Sequence, residues 1–485
     1  MCRLDIRTHV HKFGGSSLVT PDAFFRVRNL LLREYEKHHP DRIVVVLSAR
    51  GGLTDKLHQL ARKGTGENPF QEELHNLING QRSFARRLFS RMELSEPFLT
   101  AQLYALEMQA LTEDFCRLRK SLLELHGSPE QIDTMTSFIV GFGEIWSVRM
   151  LNVLLSTCVH GSESINSRAF LFTQRYGGAK DIDYTRSKSA LQSHTAYSKN
   201  KFWVVTGYIS STADGAPSTL GRNGSDYSAS IVSSLLGAER LTIWSDVDGI
   251  LSIDPDLNEP AVNLHTVSYD EAEELAHLGA GVLHSHTIQP LIGTRTRLVL
   301  RNSLQSESPG TEVLTKGSSS RGVATGLSSV QFLVFHCAAN FQQEIELYRI
   351  RLHYLALVQE GERVIIAVEE KNAQHLLKSV NKYWRLRAEE GDSDPTVLKL
   401  NNMFSGSMAA WVRHDIGESE QDKSIWEKLI KKGNRLLVFC SANRHSLMAF
   451  YKIQSHHIPT RLLHRGVYNK QIKSSLIKSN FAQVS

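Results

Sequence analysis

The sequence predicts an α/β protein: a parallel or mixed sheet covered on both faces by helices, followed by a smaller α+β region. Three observations carry this. Unbroken runs rich in β-branched and apolar residues recur at Arg42–Leu47, Phe202–Gly207, Leu241–Asp246 and Arg297–Arg301. Such runs belong to strands buried on both faces. Helical patterns lie between them, for example Asp226–Leu236 and Ser268–Leu278, and strands alternating with helices build a sheet with a helical layer on each side. From Ser303 to Gly326 the composition turns to Ser, Gly, Pro and Thr, and the later elements are shorter. That shift marks a domain boundary.

Taken in order, Ile6–Val10 alternates and reads as the opening strand. His11-Lys12-Phe13-Gly14-Gly15-Ser16-Ser17 follows, and then a helix starts with Pro21 in its first turn. This is a physical recipe for holding phosphate. The glycines let backbone N–H groups approach an anion, the helix N-terminus carries partial positive charge, and Lys12 adds a full charge. The Gly-x-x-x-x-Gly-Lys-Ser/Thr loop is absent. Four further segments are expected at the C-terminal ends of strands, the edge where ligands collect in open α/β sheets. They are Leu47–Asp55, with Ser48 and Thr54; Gly141–Ser147, with Glu144 opening a helix behind glycines; Thr219–Ser228; and Trp244–Ile250 followed by Asp254-Pro255. Glu144 also suits simple dipole complementarity. In Thr219–Ser228, Ser225 or Asp226 could cap a helix, but capping does not explain Arg222 beside the glycines. Carboxylates in a turn after a strand suit Mg²⁺ neighbours, a ribose hydroxyl or the turn itself.

Residues 70–127 read as a helical flank without chemistry of its own. Beyond the boundary, Gln331–Phe335, Arg363–Val368, Thr396–Leu400, Met408–Val412 and Arg435–Cys440 read as strands. Gln342–Tyr354, Ala373–Trp384 and Ile425–Lys431 read as helices, a rhythm that predicts one or two ferredoxin-like units. The tail from His464 is basic and carries no strand pattern.

Composition narrows the function. A net charge of +6 over 485 residues fits anionic ligands and lacks the concentrated basic face that nucleic acid needs. Five scattered cysteines without a Cys-x-x-Cys pair argue against a zinc site or a disulfide framework and suit a reducing compartment. No apolar run approaches the ~20 residues that span a bilayer, and residues 1–20 lack a signal-peptide core. A cytoplasmic protein without membrane partners is expected.

Together, Lys-Phe-Gly-Gly-Ser-Ser, Gly-Glu-x-x-Ser, Gly-Arg-x-Gly-Ser-Asp and Asp-Val-x-Gly, in this order across about the first 315 residues, resemble the aspartate kinase family. The forms Gly-Arg-Asn-Gly-Ser-Asp-Tyr-Ser, Ile-Trp-Ser-Asp-Val and Val-Leu-His resemble the kinase half of the methionine-pathway bifunctional aspartokinase–homoserine dehydrogenases, and the dehydrogenase half is not expected here. The resemblance implies an amino-acid-kinase-like three-layer α/β/α sandwich over residues 1–315 and an ACT-type regulatory or oligomerisation region over 326–485. It implies MgATP and L-aspartate as substrates, and a dimer or tetramer assembled through the C-terminal region. Carried over by motif, Lys12 neutralises the transferred phosphoryl group, helped by the Gly14 and Gly15 amides, and Asp226 orients Lys12 or the metal. Arg222 clamps the α-carboxylate of aspartate, Glu144 receives its ammonium, and Ser48, Thr54 and Ser225 hydrogen-bond it. Gly14, Gly15, Ser16, Ser245, Asp246 and Asp254 face the nucleotide, and no protein ligand is assigned to the metal.

The chain also departs from the family pattern. Asp-Pro-Arg reads Asp254-Pro255-Asp256, and the lysine of Gly-Ala-Lys-Val-Leu-His-Pro becomes Gly281. Each lost phosphate-binding charge costs ~1.5–3 kcal/mol unless replaced. Arg295 and Arg297 are the candidate replacements. The departures leave open a catalytically weakened homologue acting as a binding or regulatory subunit. A relative using another carboxylate, such as glutamate, also stays open. Asn401–Met408 partly resembles an ACT ligand loop, but its glycine signature is weak, so packing and dimerisation are expected before feedback by lysine or threonine.

Overall fold

Thr8–Phe13 forms the first strand, β1, and every one of its six residues is buried. In the computed structural model the described residues are 6–64, 70–92, 97–159, 161–176, 179–221, 223–254, 256, 261–278, 283–315, 323–336, 356–360, 363–374, 376–378, 399–412, 435–440 and 446–451. They divide into two units, the first comprising Met1–Gly249 and His286–Val313, the second Ile250–Ser285 and Leu314–Ser485. Nothing in the linear sequence signals that Ile250–Ser285 groups with the later residues.

In chain order β1 leads to α1 (Pro21–His38), β2 (Arg42–Leu47), α2 (Leu53–Gly64), α3 (Gln71–Met92), α4 (Pro97–Leu123), α5 (Pro129–Val140) and α6 (Phe142–Ser156). Then come β3 (Ser162–Ile165), β4 (Phe172–Tyr176), β5 (Ala179–Ile182), α7 (Tyr184–Tyr197), β6 (Phe202–Thr206), β7 (Ile209–Thr212), β8 (Pro217–Thr219), α8 (Gly224–Leu236) and β9 (Arg240–Ser245). After β10 (Thr266–Ser268) and α9 (Tyr269–His277) of the second unit, α10 (Ser285–Ile288), β11 (Arg297–Asn302) and β12 (Thr311–Leu314) follow.

Within the first unit the main sheet runs β12-β11-β9-β1-β2-β6-β3. All its pairings are parallel except β11 with β12. Register aligns the strand ends: Phe13 faces Leu47 and Trp244, Leu47 faces Thr206, and Asn302 faces Ser245. The connections leaving β1, β2, β6, β9 and β11 therefore emerge along one edge. A small second sheet has the order β5-β4-β7-β8.

Local chemistry explains the helix bounds. Thr20 caps α1 by accepting the Ala23 N–H, Pro21 occupies the first turn, and the chain leaves through His39 at φ 45°. A reciprocal Ser128–Gln131 capping box opens α5. Successive strand residues point to opposite faces, and β1 uses both. Lys12 meets α8 through Asp226, whereas the His9 ring lies 5.4 Å from that of His38 on α1. Helices thus cover both faces, as the apolar strands predict. The core on the α1 side joins Phe13, Phe24, Leu31, Val45, Phe84, Phe115 and Trp146.

Several expectations shift. β1 starts two residues after Ile6 and runs through Phe13, which puts Lys12 inside the strand. Gly141–Ser147 joins α5 to α6 and follows no strand. Pro129–Ser156 is long and apolar enough to cross a bilayer, contrary to the sequence count, yet 72% of its most apolar window is buried, as in a core helix.

In the second unit β13 (Val323–His336), β14 (Ala356–Glu360), β15 (Arg363–Glu369), β16 (Lys399–Val412), β17 (Arg435–Cys440) and β18 (Ser446–Tyr451) form an antiparallel sheet of order β14-β15-β13-β16-β18-β17. The strands expected at Thr396–Leu400 and Met408–Val412 contribute to one long strand, β16. Asn401–Met408, which partly resembles a ligand loop in sequence, is part of that strand. The helices expected at Gln342–Tyr354 and Ile425–Lys431, and the tail from His464, lie outside the described residues.

Candidate active site

Lys12 is the penultimate residue of β1 and is 8% exposed. An ammonium so buried needs a partner. It finds Asp226 in the first turn of α8, with Nζ 2.6 Å from Oδ1. The Asp226 carboxylate in turn sits at the positive end of the helix dipole.

After Phe13 the chain enters a 3₁₀ turn at Gly15–Leu18. A Cβ on Gly15 would stand 2.8 Å from the Ala49 carbonyl oxygen, so glycine is required for this approach. The Gly51 N–H donates to the Gly15 carbonyl (3.1 Å) and the Ser48 N–H to that of Phe13 (3.2 Å), joining the first two loops of the edge. Gly14 and Gly15 are half-buried in this turn and Ser16 is exposed.

Behind these loops stands Glu144, in the first turn of α6 and 2% exposed. Its Oε1 accepts the Ala49 N–H at 3.2 Å. Its Oε2 is buried without a hydrogen-bond partner among the described residues. Burial pushes the carboxyl up to about 8, against the pull of the Ala49 N–H, its own helical N–H and the Arg168 charge. Burial also lowers the Arg168 guanidinium to about 10, with Glu144 opposing. Arg168 is anchored by donating from Nη2 to the Ser137 carbonyl at 2.7 Å. Tyr208, whose phenol is raised by burial and then by Glu144 among others, completes the surroundings. Neither Arg168 nor Tyr208 was a sequence candidate. Their signal is position, since each follows the C-terminal end of a strand, β3 and β6 respectively.

Ser48 and Thr54 are half-buried, at the start of the β2 loop and in the first turn of α2. Ser225 is buried beside Asp226, and a Cβ on Gly207 would lie 2.8 Å from the Ser225 Cβ. Arg222 lies outside the described residues; its neighbours Gly221 (φ 78°) and Asn223 (φ 53°) both take left-handed backbone.

At the end of β9, Ser245 Oγ accepts the Val247 N–H at 3.3 Å, and Asp246 is exposed. Asn302, ending β11, donates to the Asp246 carbonyl (3.3 Å) and to Asp248 Oδ1 (2.7 Å). The Ser303 N–H donates to the Ser245 carbonyl, and the Ser303 hydroxyl meets that of Ser17 at 3.2 Å. Asn302 and Ser303 thereby tie the β9 turn to the Gly14–Ser17 turn, a role no motif announced. Asp254 belongs to the second unit, where its Oδ1 accepts the Asp256 N–H at 2.9 Å. Gly281 lies outside the described residues. Arg297 cannot stand in for the missing cations: it opens β11 at the opposite end of the sheet and pairs with Glu239 at 2.9 Å. Among the described residues no group of three or more His, Cys, Asp or Glu is placed to hold a metal ion.

The fold and the loop edge define an α/β unit with a lysine, a glycine turn and a buried carboxylate gathered where parallel strands end. The chain belongs to the amino acid kinase family, which matches residues 7–302. It is similar to bifunctional aspartokinase/homoserine dehydrogenase 2 of Escherichia coli (strain K12), 33% identical over 334 residues covering 68% of this chain and 39% of that protein. It is 32% identical over 315 residues to the chloroplastic bifunctional aspartokinase/homoserine dehydrogenase 1 of Zea mays, covering 64% of this chain and 33% of that one. The chain thus spans a third of the length of that plant relative. The crystal structure of E. coli aspartokinase III in complex with aspartate and ADP shares the fold, with a TM-score of 0.73 at 22% identity over 95% of this chain and 100% of that one.

Proposed function

We propose that this chain is an aspartate kinase, transferring the γ-phosphoryl group of MgATP to the β-carboxylate of L-aspartate to give 4-phospho-L-aspartate for lysine, methionine and threonine biosynthesis. The observation that carries this reading is the Lys12–Asp226 ion pair on the same loop edge as a buried carboxylate, Glu144, that has an oxygen without a partner among the described residues. The names of the relatives, aspartokinases throughout, support it.

The acceptor carboxylate has a pKa of ~3.9 and is ionised at neutral pH, so no strong general base is needed. Its oxygen attacks the γ-phosphorus, the bond from that phosphorus to the bridging oxygen breaks, and ADP leaves with the electron pair. The work is positioning two anions and neutralising the transferred group. Lys12, held in place by Asp226, supplies the charge, and the Gly14–Ser16 turn the backbone donors. The ammonium of aspartate meets Glu144 and supplies the counter-ion that the buried carboxylate lacks. Arg222 takes the α-carboxylate, with Ser48, Thr54 and Ser225 around it. Ser245 and Asp246 face the nucleotide, and Mg²⁺ enters with ATP as part of the substrate.

The test is acyl-phosphate trapping. The chain with MgATP, aspartate and hydroxylamine is expected to form aspartyl hydroxamate, and Lys12→Ala to lose it. No hydroxamate above the Lys12→Ala background refutes the kinase reading. Retained aspartate binding without MgATP binding would favour a regulatory homologue instead.

A further inference from the structure

We propose that the cavity between α2 and α3 binds a small organic anion, one with a carboxylate or phosphate at one end and an apolar body, at a site separate from Lys12. The cavity measures about 540 Å³, within the range of small-molecule sites. Its lining has two chemistries. Leu53, Leu60 and Leu77 give an apolar floor, while Arg50, Lys56, Arg62 and Lys63 stand around it against one carboxylate, Glu73. Glu73 is engaged by Lys63, and within the lining no second carboxylate faces Arg50 or Lys56. The floor is the outer face of the hydrophobic core, to which Leu53, Leu60 and Leu77 all belong. A ligand with a charged head and an apolar body uses both.

Arg50 is the residue that points to an anion. Its guanidinium stacks on Phe84, 4.4 Å from the ring centroid, and donates from Nη2 to Gln81 Oε1 at 3.0 Å. No carboxylate among the described residues pairs with it, and its Nε is buried without a hydrogen-bond partner. Its pKa is lowered by burial and then by the neighbouring Arg87. A half-buried guanidinium lacking a counter-charge is stabilised by an anion that forms charge-assisted hydrogen bonds with it. The same residue reaches the loop edge by its backbone, where the Arg50 N–H donates to Ser147 Oγ at 3.0 Å. Occupancy of the cavity and the geometry of the Ser48–Thr54 loop are therefore physically joined at Arg50.

Phenyl phosphate is a suitable probe, titrated into the full chain by isothermal calorimetry or ligand-observed NMR. Single-site binding with a Kd of about 1 mM or tighter is expected. It should weaken at least about tenfold in the Lys56→Gln/Arg62→Gln double variant, and both of those side chains are exposed, so the fold should survive. Arg50→Lys should weaken it as well, and Lys12→Ala should leave it unchanged. Inorganic phosphate, with no apolar body, should bind about tenfold more weakly than phenyl phosphate. Absence of saturable binding, equal affinity in the double variant, parity of the two phosphates, or loss in Lys12→Ala would each overturn the assignment. Because the readout is binding alone, the result does not depend on the proposed kinase activity.

Discussion

Glu144→Gln is expected to stabilise the protein at alkaline pH while removing what the carboxylate does for the site. The side chain is 2% exposed, and burial moves its carboxyl from 4.5 to about 8. A raised folded-state pKa means that the folded protein holds this proton while the unfolded chain releases it. Between 4.5 and about 8 the unfolded state binds fewer protons, so this group's contribution to stability falls as pH rises. The slope is about 1.4 kcal/mol per pH unit, and the full penalty is present above the folded pKa. Glutamine keeps the shape and never ionises. The advantage of Glu144→Gln over the parent should therefore grow by about 3 kcal/mol between about pH 5.5 and about pH 8.5. Urea unfolding of both proteins at both pH values measures this double difference, in which every other titrating group cancels. If the two proteins respond to pH in parallel, Glu144 is not a proton-holding buried carboxyl and the reasoning fails. On the kinase reading, saturating aspartate should narrow the gap at alkaline pH, because its ammonium supplies the missing counter-ion to the parent alone.

Three further outcomes are expected. Gly15→Ala drives a Cβ to 2.8 Å from the Ala49 carbonyl oxygen and should cost about 1–3 kcal/mol in denaturant unfolding; an unchanged midpoint would mean that the two loops can part freely. Arg149→Met leaves Glu107 and Asp114 buried without the cation that holds them at 3.0 and 2.6 Å, a loss of about 3–5 kcal/mol, refuted by a change below about 1 kcal/mol. The His11 ring, held neutral down to about 3 by burial, should keep its neutral ¹⁵N shifts at about pH 5, where an ordinary histidine is protonated; a protonated signal there would show that water reaches it.

The fold class was legible because strands buried on both faces leave an unmistakable texture. Arg42–Leu47 is β2 to the residue, and the runs at Phe202, Leu241 and Arg297 fall on β6, β9 and β11 within one residue at either end. The small β4–β5–β7–β8 sheet was not legible, because its strands are three to five residues long and carry Ser, Thr and charges that read equally well as loop. The site divides in the same way. Glycine turns and a loop arginine stand out in one dimension, as at Gly14-Gly15 and Arg222. Arg168 and Tyr208 do not, since an arginine or a tyrosine after a strand is unremarkable until burial places its charge or phenol near Glu144. Asn302 and Ser303 act by tying two turns together across 286 residues of sequence, a relation no local pattern encodes.

The alternation of β1 explains how Lys12 can stand in a fully buried strand at all. His9, His11 and Phe13 share one face of the strand, and Lys12 points to the other. On the His11 side the charge is carried by Glu34 and Arg301, paired at 2.6 Å, while His11 itself stays neutral and accepts from Trp244 Nε1 at 3.3 Å. The Glu34–Arg301 pair is thus neutral as a unit, and Arg240 adds a further positive charge to its surroundings. On the α8 side the Lys12 ammonium is matched by one carboxylate, Asp226, which is less buried than the lysine it holds. A second, enclosed carboxylate would have locked the charge away, and none at all would have made burial too costly. One partly exposed partner fixes the ammonium at the strand end and leaves its remaining N–H donors available. Asp256 and Gly281 stand in the sequence where the family pattern carries cations, and Arg297 is committed to Glu239 at the far end of its strand, so the charge at the end of β1 rests on Lys12 as Asp226 holds it.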